Sequence, residues 1–332
     1  MNGDSYMNER YNIPVALIIF RRTNTLERIV QRIREVQPSK FYILSDGGRT
    51  AEEEKEVENC RNFLHTLIDW DCEVIDHFAE NNIGVYENIA GGAKWVLERE
   101  PWCIFLEDDN LPEVSFFYYC KEMLERYKEN ERVFWICGTN YLEKYETPDG
   151  SSYMFTQHCL PCGWASWSDK FVKYYDGDLK LLNDQQALKK MASTYQSKAL
   201  YRQQLDAAKM EKYNMEHKGK YASWDFQMAF SIRAQDLVGI VPVVNQIENI
   251  GVDIYSTHNG SSFSNPMIVR FCGIKSYHLK MPLKHPETVK IDEKYEHLID
   301  KIVLHPWNMR VRKYIARFIK RLLGRSVYES LK

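Results

Sequence analysis

The stretch WCIFLEDD, residues 102–109, consists of five apolar residues followed directly by three acidic ones. Short unbroken apolar runs of this kind are typical of strands buried on both faces of a parallel sheet. The runs IPVALIIF at 13–20 and FYIL at 41–44 have the same character. Segments with helical spacing or composition lie between or beside these runs, at 26–36, 52–69 and 85–98. Strands that alternate with helices predict an α/β fold with a doubly wound parallel sheet.

The composition limits the classes of partner. The 332 residues are 44% hydrophobic and 27% charged, with a formal net charge of −2. A sizeable core can therefore form, and no overall positive charge attracts nucleic acid, which we exclude as a main partner. Eight scattered cysteines are typical of free thiols in a reducing compartment. The start is polar and no run approaches the ~18 apolar residues of a membrane span, so we expect a cytoplasmic protein without a signal peptide.

The acidic triplet Glu107-Asp108-Asp109 stands where a ligand is expected, because open parallel sheets bind ligands at the carboxyl ends of their strands. Adjacent carboxylates that leave a buried strand repel each other and lose solvation. A divalent cation such as Mn²⁺ or Mg²⁺ would offset this cost, and a diphosphate needs the same cation. The alternative is an Asx-type turn over 108–112 that caps the next helix.

Four short motifs follow one another along the chain: IPVALIIFRR (13–22) with SDGG (45–48), NIGV (82–85) with Asn88, CIFLEDD (103–109), and GWASW (163–167) with WD (224–225). Their order and spacing resemble the GT-A-fold glycosyltransferases, in particular the N-acetylglucosaminyltransferase I type and its bacterial relatives. The resemblance implies a Rossmann-like, doubly wound mixed sheet. It also implies metal-dependent transfer of a hexose or N-acetylhexosamine from a nucleotide-diphosphate donor. The segment 179–221 matches no motif of the family, which leaves the acceptor open.

The resemblance implies roles for individual residues. Asp109 would bind the cation, His258 would close the metal site, and Asp225 would take the proton of the acceptor hydroxyl. Asp46 would hydrogen-bond the uracil of the donor, which makes a UDP-sugar the expected donor. The residues expected to contact the donor are Phe20, Arg21, Asp46, Asn82, Gly84, Glu107, Asp108, Gly163 and Trp164.

Several of these residues have ordinary structural alternatives. Asp225 begins a helical apolar pattern and could be a cap or a first-turn acid; as a base it would imply inversion at the anomeric carbon, although retention stays open. His258 stands in a polar loop, where a solvated imidazole is as consistent as a Mn²⁺ ligand. Trp164 and Trp167 could stack on sugar faces, but we expect at least one of them to pack in the core.

The resemblance also divides the chain. The predicted segments are a polar leader (1–12), a nucleotide-sugar half (13–140), an acceptor and catalytic half (141–300) with a helical insert (179–221), and a basic tail (301–332). The expected acceptor is a glycan or a lipid-linked saccharide. A non-catalytic nucleotide-sugar or glycan-binding protein of the same fold is the main alternative. A sugar-1-phosphate nucleotidyltransferase is disfavoured, because RRTN at 21–24 lacks the glycines of a phosphate-binding loop.

The tail contains bulky apolar residues at helical spacing between 307 and 323, with six basic residues and no acidic one among them. An amphipathic helix with this charge is typical of peripheral binding to an anionic membrane surface, here the inner face of the membrane. The alternative is a helix docked on the domain with a solvated basic face.

Overall fold

The computed structural model describes residues 10–251 and 271–329. Its main feature is one eight-stranded sheet in the order β3-β2-β1-β4-β8-β6-β9-β7, with a separate antiparallel pair, β5 and β10. Strands β3, β2, β1 and β4 run parallel; β8 is antiparallel to β4 and β6, and β7 is antiparallel to β9. The strands are β1 Val15–Ile19, β2 Lys40–Ser45, β3 Glu73–Phe78, β4 Trp102–Glu107, β5 Asn110–Pro112, β6 Val133–Cys137, β7 Tyr153–Thr156, β8 Trp164–Trp167, β9 Val238–Pro242 and β10 Ile247–Asn249. The α/β fold class with a mixed sheet is confirmed.

Helices cover both faces of this sheet. They are α1 Leu26–Arg34, α2 Ala51–Leu67, α3 Gly92–Leu97, α4 Val114–Tyr127, α5 Ser168–Tyr174, α6 Gln185–Ser193, α7 Lys198–Lys218, α8 Asp225–Ala234, α9 Glu293–Val303 and α10 Trp307–Leu322. Apolar residues of α1, α2 and α4 pack on one face, and those of α3, α5, α8 and α9 pack on the other. This is the doubly wound arrangement.

The central strands show why short apolar runs decide the fold. In β1, Leu17 and Ile19 contribute to the core on one face, whereas Ala16 and Ile18 contribute to the core on the other. Successive side chains of a strand point to opposite faces, so a strand between two helical layers must be apolar at every position. All five residues of β1 are buried.

The segment that was expected to be one helix over 85–98 is interrupted. A π-helical turn, Glu87–Gly91, precedes α3. At Gly92 a Cβ atom would lie 2.9 Å from the Leu44 side chain, so the backbone passes close to β2. Gly92 therefore allows a close approach of the helix to the sheet.

The sequence patterns missed β7 and β8. Each has only four residues, and each pairs antiparallel with distant strands, β7 with β9 and β8 with β4 and β6. Because β8 lies between β4 and β6, the sheet is continuous across the division near residue 140. The division into two halves stays a prediction.

A buried ionic network attaches α9 to the sheet. Arg233 of α8 donates to the Glu296 carboxylate over 2.9 Å, and His158 contacts Asp300 over 2.9 Å. The hydroxyl of Thr156 and the main-chain N–H of Gln157 also donate to Glu296. Although burial raises the pKa of Glu296, His158 and Arg233 hold it below its usual value. This network joins two helices and a strand.

Replacing Glu296 with glutamine is expected to lower the free energy of unfolding by about 3–5 kcal/mol, because it leaves the Arg233 guanidinium buried without its carboxylate. Denaturant unfolding at pH 7 measures the loss. The exposed acid Glu293, three residues earlier on α9, is the matched control, and Glu293→Gln should change stability by less than about 0.5 kcal/mol. The contribution of Glu296 should also disappear as the pH falls below its unfolded pKa of about 4.3, because the depressed folded pKa stabilises only the ionised form. Equal losses in the two variants would contradict this assignment.

Candidate active site at the carboxyl edge of the sheet

The acidic triplet lies at the end of β4 beside the turn that follows β1. The main-chain N–H of Phe20 donates to Asp108 Oδ2 over 3.1 Å, and Arg22 donates to Asp108 Oδ1 over 2.6 Å. Thr25 donates its hydroxyl to the main-chain oxygen of Asp108. Arg22 is only 7% exposed. The turn that follows β1 is thus attached to the triplet through Asp108.

Asp109 is the more exposed of these two aspartates, with 24% of its side chain accessible against 13% for Asp108. Its main-chain oxygen accepts from Ile250, directly after β10, over 2.8 Å. A Cβ at Gly251 would lie 2.5 Å from Asp109 Oδ2, so only glycine allows this approach. The first described segment, 10–251, ends at Gly251. His258 lies outside the described residues, and its metal role stays a prediction.

The electrostatics of the triplet favour a cation. Burial raises the pKa of Glu107 well above its usual range. The carboxylates of Asp109, Asp108 and Asp225 raise it further, and Arg22 opposes them. Burial also raises the pKa of Asp108 to about 6, against the effect of Arg22. A divalent cation would stabilise the ionised forms of these groups.

Asp225 reaches the same site from the other half of the chain. It is the first residue of α8, after the N-cap residue Trp224, so it is not the cap itself. The hydroxyl of Ser223 donates to its carboxylate. Its charge contributes to the raised pKa of Glu107, after burial and the two aspartates of the triplet. The first-turn position also suits an acid because of the helix dipole, and this alternative stays open.

The insert helix α7 positions the loop that leads to Asp225. Glu211, only 2% exposed, accepts from the main-chain N–H groups of Ala222 over 2.7 Å and Ser223 over 3.0 Å. Asn214 donates to the same carboxylate over 3.1 Å. Sequence reasoning missed Glu211, because nothing in a polar helix distinguishes one glutamate from the others.

Asp46, at the end of β2, organises the segment that follows β3. Its carboxylate accepts from the main-chain N–H groups of Gly47 (2.9 Å), Ile83 (2.7 Å) and Gly84 (3.0 Å), and from Asn82 Nδ2 (2.9 Å). Asp46, Asn82 and Gly84 are therefore brought together, and their contact with a donor stays a prediction. A carboxylate has about four lone-pair sites, and all are used here within the protein.

Arg21 and Arg49 border a cleft of about 420 Å³. The guanidinium groups of Arg21 and Arg49 each lie 5.7 Å from the centroid of the half-buried Phe20 ring. Arg21 also pairs with Glu53 over 3.1 Å, at the start of α2. The cleft is thus lined by two guanidinium groups, which lie near an aromatic ring, and by carboxylates at the start of α2.

The two tryptophans of the GWASW motif belong to the core. Trp164 is 1% exposed and stacks on Phe105 (4.1 Å between centroids) and Trp135 (4.3 Å). Trp167 is 2% exposed, and its indole N–H donates to Leu124 over 2.9 Å. The expectation that Trp164 contacts a sugar is corrected, because its ring is enclosed by other aromatic rings.

Gly163, just before this strand, lies close to the triplet, and its contact with a donor stays a prediction. Its φ is +62°, and a Cβ would lie 2.5 Å from Ile247. Its N–H donates to Asn110 Oδ1 over 2.8 Å, the residue directly after the triplet. Gly163 therefore packs close beside the triplet.

Within residues 10–251 and 271–329, three metal-ligand side chains whose ligand atoms all lie within 4.8 Å of one another occur only in the network of His158, Glu296 and Asp300. Arg233 already supplies a cation there, so we interpret it as an ion-pair network rather than a metal site. The triplet does not form such a group. This is compatible with a cation shared between one aspartate and a diphosphate, since magnesium-type sites often use one or two carboxylates with substrate phosphates.

No family model matches this chain, and no curated protein sequence matches it. Solved structures that this chain resembles weakly include a mannosyltransferase from Pyrobaculum calidifontis in complex with GDP-Man and Mn²⁺, at 11% identity and a TM-score of 0.34, covering 68% of this chain and 70% of that one. Mouse xyloside xylosyltransferase 1 matches at 8% identity and a TM-score of 0.33, covering 68% of this chain and 81% of that one. A UDP-glucose pyrophosphorylase complexed with UDP-glucose matches at 9% identity and a TM-score of 0.35, covering 72% of this chain and 94% of that one. Likenesses this weak carry no argument about activity, which rests on the site itself.

Among the described helices, none combines the length and the apolar character that a membrane span requires.

Proposed function

We propose that the protein is a cation-dependent glycosyltransferase that moves a sugar from a nucleotide-diphosphate donor, a UDP-sugar, to a glycan or a lipid-linked saccharide. One observation carries the proposal. Glu107, Asp108 and Asp109 at the end of β4 and Asp225 at the start of α8 act on one another at the carboxyl edge of the sheet, where their mutual repulsion raises the pKa of Glu107 beyond the effect of burial. Such a cluster is costly without a cation, and a diphosphate would share that cation.

In this proposal Asp109 holds Mn²⁺ or Mg²⁺, because it is the more exposed aspartate of the two. Asp108 is committed to Arg22 and Phe20, so its part is to fix the turn after β1. Glu107 is placed to bind a donor hydroxyl. His258 as a further ligand remains a prediction from the sequence.

The donor nucleotide would occupy the cleft beside Phe20 and Arg21. Asp46 already accepts four hydrogen bonds, so we assign it to holding the Asn82–Gly84 segment in place. Any bond from a uracil would be shared with these donors. The turn after β1 lacks the glycines of a nucleotidyltransferase phosphate loop, and its Arg22 is paired with Asp108.

In the proposed reaction Asp225 is the base. Its carboxylate would take the proton as the acceptor oxygen attacks the anomeric carbon, and the bond from that carbon to the diphosphate oxygen would break, with inversion. The cation, when bound, stabilises the negative charge on the departing diphosphate. Phe226, 39% exposed next to Asp225, offers an aromatic face for a sugar in place of the buried Trp164.

A panel of UDP- and GDP-sugars with Mn²⁺ tests this function. We expect release of UDP from one UDP-sugar, faster in the presence of a suitable saccharide acceptor and stopped by a chelator. Binding of a nucleotide sugar without release or transfer across the panel would instead support a non-catalytic binding protein.

A further inference from the structure

The C-terminal helix α10 exposes its large apolar residues. None of its residues is buried. Trp307 is 71% exposed, Tyr314 74% and Leu322 71%, and Ile315, Phe318 and Ile319 are also exposed. Apolar side chains scattered singly on a surface are ordinary, whereas a contiguous group on one helix indicates a partner.

The helix attaches to the domain through its other side. Residues spaced three or four apart share a face, so Trp307, Tyr314, Phe318 and Leu322 lie together. Met309 and Ala316, on the opposite side, are half-buried. Arg317 lies 2.5 Å from Asp206 of α7. The apolar face is therefore directed away from the domain, the reverse of an ordinary surface helix.

The charge of this helix selects among partners. Its six basic residues are accompanied by no acidic residue between 307 and 323: they are Arg310, Arg312, Lys313, Arg317, Lys320 and Arg321. A second copy seated face to face would bring two such basic sets together, which is unfavourable. An anionic lipid layer suits both the apolar and the basic residues of α10, because its acyl region is apolar and its headgroups are negatively charged.

We propose that α10 lies in the surface of an anionic lipid bilayer, with Trp307, Tyr314, Phe318 and Leu322 in the acyl region and the basic residues at the headgroups. The proposal goes beyond the transfer reaction and does not depend on it. It assigns the protein to a membrane surface, which suits an acceptor carried on lipid.

Flotation of the full-length protein with phosphatidylcholine vesicles, with and without phosphatidylglycerol, tests it. We expect binding to the phosphatidylglycerol vesicles that is at least about tenfold tighter than to phosphatidylcholine alone, weakening several-fold as salt rises from about 0.05 to 0.5 M because the Debye length shortens. Of the eight tryptophans, Trp307 is the one with a largely exposed ring, so its emission should shift to shorter wavelength on binding and Trp307→Phe should remove the shift.

The double substitution Phe318→Glu with Leu322→Glu should reduce vesicle binding at least tenfold with an unchanged melting temperature, because both side chains contact solvent. Val172→Glu is the matched control, since Val172 on α5 is 58% exposed and lies outside this helix. Equal binding by the double variant, or no binding by the intact protein, would overturn the proposal. A dimer that dissociates in the double variant, without vesicle binding by the intact protein, would show that a second copy covers this face instead. If the intact protein bound vesicles but turned over no nucleotide sugar, this proposal would stand and the proposed function would be wrong.

Discussion

Asp225→Asn is expected to slow sugar transfer by about 10²–10⁴-fold, the usual contribution of a general base, while donor binding changes by less than about threefold. Asparagine keeps the size of the side chain and its contact with Ser223, but it cannot take a proton. The measurement is kcat from nucleotide release in the presence of acceptor, together with a donor Kd.

The matched control is Asp169→Asn. Asp169 is an exposed acid in the first turn of α5, where it is the second residue of the helix, and Asp225 is the first residue of α8. If Asp225 were only a favourable first-turn charge, both variants would lose similar small amounts of stability, about 0.3–1 kcal/mol, and transfer would continue. That outcome would contradict the assignment of the base.

Mn²⁺ is expected to stabilise the protein against unfolding, and more strongly at pH 8 than at pH 5. The pKa of Asp108 is raised by burial to about 6, and that of Glu107 is raised by burial and by its acidic neighbours. An acid with a raised pKa holds its proton more tightly in the folded state, so without a cation the free energy of unfolding falls as the pH rises through about 4 to 6. For Asp108 this amounts to roughly 2 kcal/mol. A bound cation favours the ionised forms, and it should add about 3 kcal/mol at a hundredfold excess over its Kd.

Asp109→Asn should remove this stabilisation, because it takes away the proposed ligand and relieves part of the repulsion on Glu107. Asp71→Asn is the control, since the Asp71 side chain is 95% exposed on a surface loop. Thermal unfolding with and without Mn²⁺ at the two pH values measures both effects. Equal stabilisation of the wild type and Asp109→Asn would place the cation elsewhere.

Much of the fold follows from local patterns. Strands β1, β2 and β4 are short apolar runs buried on both faces, and the helices between them have the expected spacing or composition, so their order is readable without long-range information. The position of the triplet at a strand end follows in the same way.

The structural features that the sequence did not predict depend on contacts between residues far apart in the chain. Strands β7 and β8 are too short for a periodic signal, and their pairing involves strands far away in sequence. Trp164 looked like a sugar-facing ring, but its neighbours Phe105 and Trp135 come from two other strands. Likewise, the ion pair of Arg22 with Asp108 is a tertiary contact that residue spacing does not predict. The same holds for the hydrogen bond of Glu211 with the loop before Asp225.

The most direct measurement is calorimetric titration of the protein with UDP and UDP-sugars in the presence and absence of Mn²⁺. We expect one UDP-sugar to bind with the cation, to bind at least about tenfold more weakly without it, and to bind Asp109→Asn as weakly as the cation-free protein, a difference of about 1.4 kcal/mol or more. Absence of binding for every nucleotide sugar, or binding that is indifferent to both the cation and Asp109, would contradict a nucleotide-sugar site at Glu107-Asp108-Asp109.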